Sequence, residues 1–258
     1  MSQITEESLC PVIEESDIIV SDSMYAESAA ESSQPSERAA YDFSAPVPVT
    51  DPVEDSYFED ALFIGDSRTQ GFILYSGLAE ATAYADKGLS VDKVFTKEIV
   101  HENGADYTVT DALAHHPDEY KKVYLMFGVN ELGWNYPNIF QSKYRDVVHA
   151  IQQSQPHAII YVQSILPVSR EKSNSSDIYT LERVNLFNDL LKQMAEEEKV
   201  CYLNVAEGVS DEEGYLPEDA STDGVHLNKA YCQIWLEYLK NHALTEPPVV
   251  LLEDESAS

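Results

Sequence analysis

The chain has 258 residues, enough for one full-sized hydrophobic core or at most two small ones. Its 46 Asp and Glu against 16 Lys and Arg leave a formal net charge of −30, with no run of Lys and Arg to make a local exception, so nucleic acid and anionic membrane surfaces are excluded as partners. The three cysteines, Cys10, Cys201 and Cys232, include no CxxC pair and exclude a disulfide scaffold, and no apolar run approaches the length of about 18 residues that crosses a bilayer.

Residues 1–56 are rich in Ser, Glu, Pro and Ala, and Pro35, Pro46, Pro48 and Pro52 interrupt any helix. Such a composition buries too little to offset its ordering entropy, so an acidic, disordered N-terminal segment is expected. Its short apolar stretches, Ile18-Ile19-Val20 and Val47-Pro48-Val49, read as linker or as points that dock on a surface. The N-terminus is acidic and has no continuous apolar segment, unlike a secretory leader. A cytoplasmic chain is expected at face value, and an extracellular or cell-surface one if an export or anchor segment has been removed.

From there the pattern alternates. Ala61-Leu62-Phe63-Ile64 is a compact apolar strand stopped by Gly65-Asp66-Ser67, and helical spacing runs from Thr69 to Leu78. A short strand is expected within Leu78 to Ala85. Val123 to Phe127 is a buried strand stopped by Gly128, and Ile139 to Ser154 is a helix with Tyr144, Val147, Val148 and Ile151 on one stripe. Ala158 to Val162 is the next strand. Tyr179 to Glu198 is a helix, Val200 to Asn204 a strand, and Asn228 to Lys240 a last helix, before an acidic tail over 246–258. Apolar strands separated by amphipathic helices predict an α/β domain over 57–245 with a mainly parallel sheet covered on both faces. In such sheets the loops after the strands gather the functional groups.

Four polar clusters fall at such positions: Gly65-Asp66-Ser67-Arg68, Lys87-Gly88-Leu89-Ser90, Gly128-Val129-Asn130-Glu131 and Asp223-Gly224-Val225-His226. Ser67, at a strand-to-helix turn, reads as a nucleophile or as an ordinary helix N-cap. A nucleophilic serine needs a base, and His226 sits three residues after Asp223, a spacing that lets the carboxylate accept the imidazole Nδ1–H and leave Nε2 free. Otherwise Asp223 is a loop cap. Asn130 offers a side-chain amide and Gly88 a backbone N–H to an oxyanion, although Gly88 equally suits a turn at positive φ. No histidine stands in a metal-ligand pattern, so neither metal nor cofactor is expected.

Together these blocks resemble those of the SGNH (GDSL-type) hydrolases, over about residues 59–242. The resemblance implies a three-layer α/β/α sandwich around a five-stranded parallel sheet. It also implies Ser67 as nucleophile, His226 as base, Asp223 as its orienter, and the Ser67 amide, Gly88 and Asn130 as oxyanion donors. The sequence departs from the family pattern in having Glu131 where Asp commonly follows the Asn, and GDSR where the longer form is GDSL. Arg68 and Glu131 are therefore candidate substrate contacts, Arg68 reading equally as half of a structural ion pair. Trp134 and Tyr136, just after the Asn130 loop, read as an aromatic wall for a sugar ring or as packing. The expectation is a serine esterase acting on small acyl esters, acetyl above all, of a small molecule or a carbohydrate or cell-wall glycan. O-acyl transfer by the same residues and a non-catalytic scaffold are the alternatives.

Overall fold

The computed structural model describes residues 39–78 and 80–250. Its main sheet is built from β1 (Ala61–Gly65), β2 (Thr82–Ala85), β5 (Lys122–Met126), β6 (Ile159–Gln163) and β7 (Cys201–Leu203), in the order β2-β1-β5-β6-β7 with every pairing parallel. Four of these strands are buried at every position, as strands covered on both faces must be.

The two-residue period of a strand sorts their side chains between two cores. Leu62, Ile64, Val123, Leu125, Ile160 and Val162 face α2 (Val109–His115), α3 (Pro137–Ser154) and α5 (Leu181–Glu197). Phe63, Tyr124, Tyr161 and Leu203 face α1 (Ser67–Ser76), α6 (Val205–Val209) and α7 (Lys229–Lys240). On this second face the register sets Phe63 opposite Tyr124 and Tyr124 opposite Tyr161. The three rings stack across the strands at centroid spacings of 4.7 Å. The result is the expected α/β/α sandwich with a five-stranded sheet. Its strand order turns back at β1, so a crevice opens between the C-terminal ends of β1 and β5.

Several elements differ from the expectation. A hairpin of β3 (Glu98–Glu102) and β4 (Ala105–Thr108) turns at Asn103-Gly104, both at positive φ, and leads into α2, whose first turn is capped by the Thr108 hydroxyl accepting the Asp111 N–H. The short helices α4 (Arg170–Asn174) and α6 also went unforeseen. Helix α1 stops at Ser76, short of Leu78.

The boundary at residue 57 needs correction. Within 39–56, Phe43 and Val47 are buried in the second of these cores, and the Val47 N–H donates to Tyr202 O at 2.9 Å on the edge strand β7. Thr50 and Val53 donate to Asn241 O and Lys240 O, and the Tyr41 N–H to Val249 O. These residues form a strap held by backbone bonds and two apolar anchors, which a low overall hydrophobicity conceals. The compact unit accordingly begins at Ala39. The expectations for residues 1–38, Ile18-Ile19-Val20 included, and for 251–258 lie outside the described residues.

Candidate active site

Strand β1 ends at Gly65, where a Cβ would stand 2.1 Å from Thr69 Oγ1 and 2.5 Å from Met126 O, so only glycine lets the chain turn this tightly into α1. Asp66 then caps the helix, its Oδ1 accepting the Arg68 N–H at 2.8 Å. Ser67 follows as the first helical residue, half-exposed, with its amide among the N–H groups that a helix start leaves without an intrahelical partner.

His226 comes from the loop before α7, 159 residues away in sequence, and its Nε2 lies 2.9 Å from Ser67 Oγ. Its Nδ1 lies 2.6 Å from Asp223 Oδ2. A carboxylate only accepts, so Nδ1 carries the proton and Nε2 presents its lone pair to the Ser67 hydroxyl. Burial pulls Asp223 upward, but hydrogen bonds from the His226 N–H and ring, the Val225 N–H and the Ser221 hydroxyl outweigh it and hold the carboxyl well below its ordinary range. The loop is itself fastened. Ser169 donates its N–H to Gly224 O, and Asn228 caps α7 by accepting the Tyr231 N–H.

On the other side of the crevice β5 runs out into Gly128, where a Cβ would sit 2.2 Å from Ile165 Cδ1 and φ is +131°. Asn130 is exposed just beyond it, and its Nδ2 donates one hydrogen to Leu89 O at 2.9 Å. The second amide hydrogen is left for a ligand. Gly88, at φ +73°, sits in the turn that this bond holds; that turn starts from Asp86, whose N–H donates to Gly65 O at the end of β1. The crevice thus brings the Ser67 turn, the Gly88 turn and the Asn130 loop to one edge of the sheet.

The expected substrate contacts fare differently. Arg68 borders the cleft, but its guanidinium is buried and donates to Leu166 O at 2.6 Å and Pro167 O at 3.3 Å. Glu131 is fully buried, with Oε1 accepting the Val91 N–H at 2.7 Å. Neither side chain is presented to a substrate, because each is turned inward to satisfy backbone groups of neighbouring loops. Trp134 is half-buried against the core, and Tyr136 is exposed to 67 %. The cleft that holds Ser67 and His226, about 400 Å³, is bordered by neither of these rings. Tyr75 lines it, with Gly71, Asn228 and Lys229. Tyr75 and Gly71 were legible in principle, since positions 67, 71 and 75 share one helical face.

Among the described residues no group of His, Cys, Asp and Glu could hold a metal ion, and no helix is long and apolar enough to cross a membrane. Cys201 and Cys232 are buried free thiols, pushed up to about 12 by that burial. What the site offers chemically is a hydroxyl aligned on an imidazole nitrogen, a carboxylate behind it, and the unpaired Ser67 amide at the helix start.

The profile of the GDSL-like Lipase/Acylhydrolase family matches residues 63–234. Similar solved structures include a GDSL-like lipase from Bacteroides thetaiotaomicron, 14 % identical with a TM-score of 0.51 over 73 % of this chain and 89 % of that one. An acetylxylan esterase from Geobacillus stearothermophilus is 17 % identical with a TM-score of 0.51 over 71 % and 94 %. A second acetyl xylan esterase is 15 % identical with a TM-score of 0.53 over 69 % and 96 %. At these identities the likeness is one of fold. No curated protein matches the chain in sequence.

Proposed function

The chain belongs to the GDSL-like lipase/acylhydrolase family, and from that premise we propose that it is a serine esterase that removes small acyl groups, acetyl above all, from a carbohydrate or cell-wall glycan. The observation that carries the reading is the hydrogen-bonded line from Asp223 through His226 to Ser67, at 2.6 Å and 2.9 Å, opening on a cleft. A hydroxyl, an imidazole and a carboxylate so aligned have no common structural task; a helix cap needs none of the three in register.

In the first step Ser67 Oγ attacks the ester carbonyl while His226 Nε2 takes its proton. The carbonyl oxygen gains negative charge, which the Ser67 amide, the Gly88 amide and the free Asn130 hydrogen are disposed to receive. Collapse expels the alcohol, protonated by His226, and leaves an acyl-enzyme. Water then enters by the same relay in reverse, releasing the acid and restoring Ser67. Asp223 holds the imidazole in the required tautomer and stabilises it when it is charged.

The preference for a small acyl group on a sugar rests on the cleft of about 400 Å³ with Tyr75 on one wall, and on the acetylxylan esterases among structures of the same fold. Action on a cell-wall polymer would set the working location outside the cell. The test is acetate release and p-nitrophenyl acetate turnover by the intact protein beside Ser67→Ala. Turnover is expected to fall by about 10³-fold or more in the variant. Equal turnover in both proteins would remove Ser67 as nucleophile. Acetylated oligosaccharides offered with and without acceptor sugars then separate hydrolysis, which releases acetate, from transfer, which moves it to the acceptor.

A further inference from the structure

Beneath the crevice lie two carboxyl groups that the reaction does not use directly. Asp66 and Glu131 are both 0 % exposed. Each spends one oxygen on a loop of the site: Asp66 Oδ1 accepts the Arg68 N–H in the nucleophile turn, and Glu131 Oε1 accepts the Val91 N–H just after the Gly88 turn. Their second oxygens, Asp66 Oδ2 and Glu131 Oε2, are buried with no hydrogen-bond partner among the described residues. Charge on Asp66 opposes ionisation of Glu131.

Two like charges buried this way do not coexist cheaply, so one of the pair keeps a proton. The surroundings decide which. Asp66 is faced by the Arg68 guanidinium and by His226 from the catalytic loop, and both favour its charged form. Glu131 is faced by Asp66 at the start of α1, by Asp92 after the Gly88 turn, and by the Tyr144 hydroxyl of α3. Both carboxylates oppose a charge on Glu131. Burial raises Asp66 to about 6 and Glu131 to about 8, which leaves the proton on Glu131 at neutral pH.

The Gly88 turn is fastened to the β5 loop at two points, Leu89 O to the Asn130 amide and the Val91 N–H to Glu131. We propose that Glu131 is a positioning residue of the oxyanion hole that works as the neutral acid, its Oε1 holding the Gly88 turn against the Asn130 loop while its proton spares the nucleophile turn a second buried negative charge. An ionised Glu131 would oppose the charge that develops on the reacting oxygen. The inference rests on the acyl-transfer reading of Ser67, and it explains why a carboxyl next to Asn130 faces away from the substrate.

The experiment measures kcat and KM for p-nitrophenyl acetate across the range from about pH 6 to 9.5 in the intact protein, Glu131→Gln and Glu131→Ala, with Ser67→Ala as background. The wild-type kcat is expected to fall as pH rises past about 8. Glu131→Gln keeps an oxygen acceptor for Val91 and cannot ionise, so it is expected to hold kcat within about threefold at neutral pH and to lose the alkaline fall. Glu131→Ala is expected to lower kcat about 10-fold to 100-fold with KM within about twofold. A packing role alone would lower Tm in both variants and leave the pH profile in place. An alkaline fall in Glu131→Gln equal to that of the wild type overturns the proposal, as does an alanine variant impaired in KM alone.

Absence of Ser67-dependent turnover would instead overturn the esterase reading, and the proton is then read from stability. Folded Glu131 retains a proton that the unfolded chain releases, so wild-type Tm relative to Glu131→Gln is expected to decline as pH rises from about 5 to 8. Parallel Tm curves would overturn the proposal by that route.

Discussion

A carboxylate that accepts four hydrogen bonds while half exposed is held for its charge, and Asp223 is such a group. Asp223→Asn retains the size and one acceptor oxygen but lets the side chain donate to His226 Nδ1, which turns the proton of the imidazole toward Ser67. A loss of about 10⁴-fold in kcat is expected, measured on p-nitrophenyl acetate at neutral pH. The same substitution has a thermodynamic signature. Because the folded pKa of Asp223 is depressed, its contribution to stability is full above the ordinary carboxyl range and is lost as pH falls through and below it. The Tm gap between wild type and Asp223→Asn should therefore close as pH is lowered below about 4; a gap independent of pH would contradict the assignment. At this scale the sequence was informative where spacing carries geometry, as in Asp223-x-x-His226. It left Arg68 and Glu131 open, because adjacency to a functional residue says nothing of direction. Successive side chains of a helix leave its axis about 100° apart, so Arg68 does not share the direction of Ser67, and Glu131 in the turn beyond β5 likewise points into protein.

The elements bring the groups together by ending where they do. Strands β1 and β5 are neighbours, so their C-terminal turns meet, and each turn depends on a glycine packed too tightly for a side chain. Gly128→Ala would drive a methyl group into Ile165 and strain a backbone at φ +131°. A destabilisation of about 1–3 kcal/mol is expected from the overpacking. A fall in kcat of at least about tenfold is also expected, since the displaced loop carries Asn130. Urea midpoints and steady-state kinetics on the same preparation check both, and an alanine variant of unchanged kcat would detach Asn130 from the reaction. Long apolar runs made β1, β5 and β6 readable, and the stripes of α3, α5 and α7 likewise. The hairpin of β3 and β4 was missed although Asn103-Gly104 is a strong turn signal, since its flanking residues are polar and give little alternation. The shortness of α4 and α6, five residues each, left no periodicity to see.

For the whole molecule, acidity and order are distributed differently. The first 60 residues carry 15 acidic side chains with Arg38 as the one basic group, and residues 61–245 carry a net charge of −12. Yet the compact unit begins inside the acidic stretch, where Phe43 and Val47 enter the core and the strap beside them covers the edge of β7. A covered edge cannot pair with another chain. Truncation through Val53 removes both anchors and re-exposes that edge, whereas truncation through Arg38 leaves these contacts in place. The longer deletion is expected to cost about 3–6 kcal/mol more, from two apolar side chains of about 1.5–3 kcal/mol each, and to promote aggregation. Thermal melts and light scattering of the two truncations compare them, and equal Tm values would show the strap to be dispensable.

The sequence by itself determined the α/β layering and the candidates Ser67, Asn130, Asp223 and His226, because periodicity and short-range spacing are properties of neighbouring residues. Only the tertiary structure decided the strand order, the meeting of Ser67 with a histidine 159 residues away, the inward turn of Arg68 and Glu131, and the strap over β7. Each of these depends on what packs against a residue from distant parts of the chain, and burial of that kind leaves no mark on the local sequence.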